Sequence, residues 1–261
     1  IYTVKDTLSY TTLFRSVTIE RDGRIEEIEA LRVPVEDLDT APARSNTRPG
    51  PGFQRLSDEI AYLRIDGVSL DAVDSYVDGL AGSKGLVIDL RGYPSAFVVF
   101  ALGQHLVAEP TPFVRFTRGD LANPGAFHWS EPLSLPAADA PYDGRVVVLV
   151  DHHAQSSSEY HAMAFRAAPG AVVVGSTTAG ADGNISPFAL PGGHRSMVSG
   201  IGVFYPDRRP TQRIGILPDV EVRPTIEGIR AGRDEVLEEG IRQILGPGAD
   251  EDAVRALARR E

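Results

Sequence analysis

The 261-residue chain has no cysteine, so neither a disulfide nor a thiolate-bound metal is available to it. That absence is compatible with oxidising and reducing compartments alike. Lysine is nearly missing too: Lys5 and Lys84 are the only two among 26 basic residues. Acidic residues outnumber basic ones by 36 to 26, for a formal net charge of −10. Nucleic acid and anionic membrane surfaces select basic partners, so neither is expected as the main ligand. No apolar run approaches the ~20 residues that span a bilayer, and no signal-peptide pattern is present. The chain opens at Ile1 and soon enters strand-like sequence, as expected of a chain trimmed from a longer precursor together with any targeting segment. The hydrophobic fraction, 42%, is ordinary for a globular protein with one sizeable core and a smaller module.

Residues 1–35 hold a hairpin pattern, Val17–Glu20 and Ile25–Leu31, joined by Arg21-Asp22-Gly23-Arg24, whose Asp-Gly pair suits a tight turn. From Glu36 the composition shifts to Pro, Ala, Arg, Ser, Asn and Gly, ending in Pro49-Gly50-Pro51-Gly52, and residues 36–57 read as an exposed linker. Residues 58–248 then alternate. Strands at Ile60–Ile65, Leu86–Leu90, Val146–Val150 and Ala171–Val174 are separated by helices with apolar faces at Leu70, Val73, Val77 and Leu80, at Val99, Leu102 and Leu106, and after Ser156. Such alternation implies an α/β fold, a mostly parallel sheet covered by helices on both faces. A long irregular stretch follows the second helix and carries Phe113, Phe116, Phe127 and Trp129, expected as packing or as a lid over a substrate. Beyond Gly175, turns at Ala181–Asn184, Pro191–Gly193 and Pro206-Asp207 suggest an appended antiparallel section. A last helix shows Leu237, Ile241, Ile244 and Leu245 before Gly246-Pro247, and residues 249–261 are expected to be a frayed tail.

The stretch from Val146 to His161 concentrates the chemistry. An apolar β-branched run ends in Asp151-His152-His153-Ala154-Gln155-Ser156-Ser157-Ser158-Glu159 and turns into a helix with Tyr160, Met163, Ala164 and Ala167 on one face. Functional groups of open α/β sheets gather beyond the carboxyl ends of the strands, where helix N-termini present free N–H groups. A serine there can be a nucleophile, and the same serines are also helix-capping candidates.

Four motifs, in order, resemble one family, the C-terminal-processing (tail-specific) serine peptidases with the related tricorn core. They are Lys84-Gly85-Leu86-Val87-Ile88-Asp89-Leu90-Arg91-Gly92-Tyr93-Pro94, Val148 to Glu159, Val174-Gly175-Ser176-Thr177-Thr178-Ala179-Gly180, and Gly215-Ile216-Leu217-Pro218-Asp219-Val220. Residues 1–35 look similar to the end of the PDZ-like module that precedes the core in many members. The resemblance implies a crotonase/ClpP-like core and a serine peptidase without a cofactor that acts on peptide or protein substrates outside the cytoplasm. An oligomer is compatible with it.

In this family the nucleophile is the first serine of Ser-x-Ser-Glu, which falls on Ser156, and the next residue, Ser157, supplies an oxyanion N–H. The second donor comes from the loop after the Asp-Leu-Arg strand, here around Ser95 and Ala96, where many relatives carry two glycines. The tail-specific branch takes its base from a lysine in a Thr-Phe-Gly-Lys-Gly-like motif, but Ala181 and Asp182 stand there. Lys84 precedes its strand and so lies at the opposite end of the sheet. The tricorn-like branch uses histidine with a carboxylate. Of His105, His128, His152, His153, His161 and His194, His153 is the expected base, with Asp182 or Glu159 to orient it. Turn chemistry explains Asp182 and the helix dipole explains Glu159 equally well. His152-His153 lacks further ligands at metal spacing, so no metal is expected. Arg91 reads as a structural charge and Asp207-Arg208-Arg209 as a polar turn. The rival readings are a family member without a competent base that binds peptides or other ligands, and an esterase using the same serine.

Overall fold

Asp22 and Gly23 both take positive φ, +51° and +75°, the conformation of a type I′ turn, and they join β1 (Ser16–Arg21) to β2 (Arg24–Glu29) as an antiparallel hairpin. The structure is a computed structural model that describes residues 16–29 and 48–259. The hairpin belongs to a first unit, Ile1–Arg44, and all that follows belongs to a second, Ser45–Glu261. Residues 36–47 of the linker expected over 36–57, the end of the second strand at Leu31 and the rest of the N-terminal module lie outside the described residues.

The second unit is built on six strands: β3 (Phe53–Arg55), β4 (Ile60–Arg64), β5 (Gly85–Asp89) and, after an intervening sheet, β9 (Arg145–Val150), β10 (Val172–Gly175) and β14 (Val220–Glu221). In space they stand in the order β14-β10-β9-β5-β4-β3. All neighbours pair in parallel except β3, which runs antiparallel at the edge. The sheet thus includes Phe53–Arg55, inside the stretch read as linker. Arg64 donates its N–H to the Gly52 carbonyl at 2.7 Å, tying the Pro-Gly segment to β4.

Side chains on a strand alternate between faces, so a strand buried on both sides divides its residues between two cores. Leu63, Leu86, Ile88, Val146, Val148 and Val150 enter one cluster, while Tyr62, Val87, Val147, Leu149 and Val174 enter the other. The first is covered by α1 (Val73–Asp78), α2 (Val99–Gly103) and α3 (Ser157–Phe165), through residues such as Val73, Leu102 and Met163. Each parallel strand is added on the same side of the one before, and right-handed crossovers then carry their helices to one face. The opposite face is closed from the C-terminal end. There α4 (Ile226–Arg230) is followed by α5 (Glu235–Leu245), with Val236, Leu237 and Ile241 buried, and by α6 (Glu251–Ala258). The frayed tail expected after residue 249 is therefore corrected: Val254 and Ala258 are buried in the second core, and Asp250 caps the helix by accepting N–H groups from Asp252 and Ala253.

The long stretch after α2 is not irregular. It forms β6 (Thr111–Gly119), β7 (Phe127–Trp129) and β8 (Leu133–Leu135), an antiparallel sheet in which β6 also pairs β13 (Ile201–Phe204). Period-2 patterning is weak here because only Phe113, Val114 and Thr117 of β6 are buried. Between β10 and β13 a separate hairpin, β11 (Ile185–Ala189) and β12 (Arg195–Ser199), completes the antiparallel section expected beyond Gly175.

Beneath the sheet end lies one charged cluster. Arg91 is fully enclosed and meets Asp89 at 2.6 Å and Asp234 at 2.7 Å, while Tyr62 donates its hydroxyl to Asp89 at 2.7 Å. Asp234 also caps α5 through the Leu237 N–H. Arg91 thus fastens β5 to the N-terminus of α5, the structural role expected of it.

Candidate active site

The loops after β5, β9 and β10 leave the carboxyl ends of three neighbouring strands, so they meet although more than eighty residues separate the first from the last. After β9, Asp151 turns the chain: its carboxylate accepts the His153 N–H at 2.9 Å and its carbonyl accepts that of Ala154 at 3.0 Å. Two residues beyond Ala154, Ser156 holds φ +52°, ψ −117°, a backbone state unfavourable for a residue with a Cβ. α3 starts at Ser157, whose N–H meets no acceptor among the described residues. Such an N–H at a helix start is a ready anion donor.

Glu159 holds this corner together. Although completely buried, its carboxylate accepts four donors: the Ser156 N–H at 3.1 Å, the Thr178 hydroxyl at 2.5 Å, and the N–H groups of Gly180 and Ala181, both at 2.8 Å. Four donors compensate the loss of hydration that a buried carboxylate suffers. Thr178 passes the link on by accepting the Ile216 N–H at 2.7 Å. Gly215 has φ +84°, and a Cβ there would stand 2.6 Å from the Thr178 carbonyl oxygen, so glycine is required for this approach. Asp219 closes the same segment by accepting the Val173 N–H at 2.8 Å and pairing with Arg166. The expectation that Glu159 orients a histidine is corrected here. Its oxygens are taken by backbone and threonine donors.

A cavity of about 450 Å³ opens beside Ser156. Ser156, Ser157 and Asp182 line it from the sheet end, Tyr93 and Phe97 from the loop after β5, and Phe116, Arg118, Ile201 and Val203 from the antiparallel sheet. Asp182 is only 7% exposed. Its Oδ1 accepts the Gly183 N–H at 2.7 Å, whereas its buried Oδ2 has no hydrogen-bond partner among the described residues. Burial pushes the Asp182 carboxyl up to about 7, assisted by the nearby negative charge of Glu159 and opposed by the Gly183 N–H. Tyr160, in the same wall, is raised to about 12 by burial first and by Asp182 second.

The structure brings Ser156, Ser157 and Asp182 to one cavity, with Glu159 directly behind them. It does not bring His153 there: that residue is exposed and lies against His152, the rings tilted by 40° with centroids 4.0 Å apart. No histidine lines the cavity. His128 pairs with Asp120 at 3.1 Å, and His194 is exposed in the turn between β11 and β12. His161 is buried, its Nε2 accepting the Val98 N–H at 3.3 Å and its Nδ1 donating to the Ser157 carbonyl at 2.6 Å. Desolvation lowers it to about 4, so it is neutral and serves to tie the loop after β5 to the first turn of α3.

Ser95 is likewise corrected as an oxyanion donor. Its N–H is spent on the Ile65 carbonyl at 3.1 Å, and its hydroxyl donates to Val68 at 2.6 Å. The N–H of Ala96 has no acceptor among the described residues, and its neighbour Phe97 lines the cavity. Ser158, also buried, fixes this loop by donating its hydroxyl to the Gly92 carbonyl at 3.0 Å. Sequence reasoning missed the cavity walls Phe97, Arg118 and Tyr160, which no local pattern distinguishes from packing residues.

Residues 59–222 match the model of peptidase family S41. Among solved structures, the chain resembles a Parabacteroides merdae protein named a "putative peptidase", with 24% identity and a TM-score of 0.67 over 77% of this chain and 67% of that one. It also resembles mature CPAF complexed with lactacystin, with 13% identity and a TM-score of 0.64 over 88% of this chain and 68% of that one. At these identities the likeness is one of fold. No curated protein matches the chain.

Proposed function

The chain belongs to peptidase family S41, and from that premise we propose that it is a serine peptidase whose nucleophile is Ser156. The observation that carries this reading is the corner itself. Ser156 is held at φ +52° between a buried strand and a helix, it lines the cavity, and beside it stands the N–H of Ser157, which has no acceptor among the described residues. A peptide carbonyl placed over Ser156 would develop negative charge on its oxygen as Oγ attacks. The N–H groups of Ser157 and Ala96 are the donors this reading assigns to that charge, and one such donor is worth about 10²–10³ in rate. Collapse of the tetrahedral adduct leaves an acyl-enzyme on Ser156, which water hydrolyses.

Peptides or proteins are the substrates of this reading, and the chemistry calls for no cofactor. Carboxy-terminal processing, a partial PDZ-like module over residues 1–35 and work outside the cytoplasm are its finer parts, supported by the family resemblance. No described helix is long and apolar enough to cross a membrane.

The test is covalent labelling with a fluorophosphonate. The parent protein should be labelled at one site and Ser156→Ala should not. A parent that stays unlabelled at every pH, or a Ser156→Ala variant labelled like the parent, overturns the assignment.

A further inference from the structure

We propose that Asp182 is the general base of this site, accepting the Ser156 proton on Oδ2 directly or through one water, in place of a lysine or histidine. The inference rests on Ser156 being the nucleophile. Three observations of geometry carry it. First, Ser156 and Asp182 line one cavity, and among the described residues no histidine or lysine lines it with them. Secondly, Glu159 Oε2 accepts the N–H groups of both Ser156 and Ala181, so a single oxygen holds the nucleophile's backbone beside the residue preceding Asp182. Thirdly, Asp182 Oδ2 is buried without a partner among the described residues while Oδ1 is occupied by Gly183, and the Gln212 amide fixes the Asp182 carbonyl at 2.8 Å. One oxygen anchors the carboxylate, and the other is a buried acceptor whose hydrogen-bonding capacity no described residue uses.

A carboxylate in water is too weak a base to activate an alcohol near neutrality. The environment of Asp182 changes this, since burial and Glu159 raise it to about 7, where ionised carboxylate coexists with useful proton affinity. The charged and titratable groups facing it are Glu159 and Tyr160 on α3 and Arg118 on β6.

The steps balance without a co-reactant. The Ser156 O–H bond breaks, its proton passes to Asp182 Oδ2, and the Oγ–carbon bond forms while the carbonyl π pair moves to oxygen. On collapse the carbon–nitrogen bond breaks and Asp182 returns the proton to the departing amine. In the second half Asp182 takes a proton from water, hydroxide attacks the acyl carbon, and the proton returns to Ser156 Oγ as the ester bond breaks.

The experiment measures the rate constant of fluorophosphonate labelling against pH for the parent, Ser156→Ala, Asp182→Asn, Asp182→Glu and His153→Ala. The parent rate should rise through a midpoint near the value of about 7 set by burial of Asp182. Asp182→Asn should lose about 10²–10⁴-fold in rate, together with that midpoint. Asp182→Glu should recover part of the rate with a displaced midpoint, and His153→Ala should keep the parent curve. Melting of Asp182→Asn checks that it is folded, and the parent pH profile decides even where that variant is not. If Ser156→Ala is silent but Asp182→Asn labels at the parent rate, or the parent curve has no midpoint between about pH 5 and 9, the base assignment is overturned and the nucleophile stands. An unlabelled parent overturns both.

Discussion

Thr178 Oγ1 donates to Glu159 Oε1 across 2.5 Å and accepts the Ile216 N–H at 2.7 Å. That hydroxyl joins three segments that are far apart in the chain: the start of α3, the loop after β10 and the Gly215-Ile216-Leu217-Pro218-Asp219 closure. Glu159 extends the junction to the backbone of Ser156 and Ala181. The geometry of Ser156, the proposed nucleophile, is therefore held by a buried carboxylate that itself lies outside the cavity lining.

Replacing Glu159 by Gln keeps the shape and removes the charge. An amide nitrogen would then face N–H donors, so unfolding in urea should show a loss of about 2–4 kcal/mol at unchanged m. Labelling of Ser156 should also slow, because the corner loosens. A loss below about 1 kcal/mol would mean that the four donors find other acceptors readily.

Arg91→Met leaves Asp89 and Asp234 facing one another in a buried site. Removing one member of a buried ion-paired set costs about 3–5 kcal/mol. Restoring part of it by a second change, Asp234→Asn, would show that unpaired charge rather than lost packing is responsible. Additive losses in the two variants would argue for packing.

Ser156→Gly and Ser156→Ala should both be silent to the probe, yet they should differ in stability. Glycine accepts φ +52° without the steric cost that alanine keeps. Ser156→Gly is expected to be more stable than Ser156→Ala by about 1 kcal/mol, read as a higher midpoint in thermal or urea unfolding. Equal midpoints would show that the corner carries no strain.

Two groups make opposite contributions to the pH dependence of stability. His161 titrates near 4 in the folded protein against 6.5 when unperturbed, so its contribution is complete above 6.5 and is lost as pH falls towards 4. Asp182 is raised from 3.8 to about 7, so its contribution is complete below 3.8 and is lost as pH rises through 7. Urea midpoints between these limits should therefore fall less steeply on acidification in His161→Gln than in the parent, and more steeply in Asp182→Asn. Parallel curves for all three would contradict both assignments.

Much of the fold was legible because burial on both faces of a parallel strand writes continuous apolar runs, as at Val146–Val150 and Leu86–Leu90. The Asp22-Gly23 turn was legible because few residues tolerate two successive positive φ angles. β6 to β8 were not, since their sheet is half exposed and its alternation is broken by a register shift between Pro112 and Val114. α6 read as a tail because its buried face amounts to Val254 and Ala258, too little to stand out among acidic and basic neighbours.

The site divides in the same way. The family resemblance singles out Ser156, because the Ser156-Ser157-Ser158-Glu159 motif that carries it is a local feature of consecutive residues, whereas the stretch by itself also reads as helix capping. Which acid or base reaches that serine is a contact between segments, and nearness in sequence pointed to His153. The packing of β5, β9 and β10 side by side brings Asp182 to the cavity and leaves His153 in solvent. Burial then alters the proton affinity of Asp182, and burial exists only once the sheet, the antiparallel wall and the Glu159 junction have assembled.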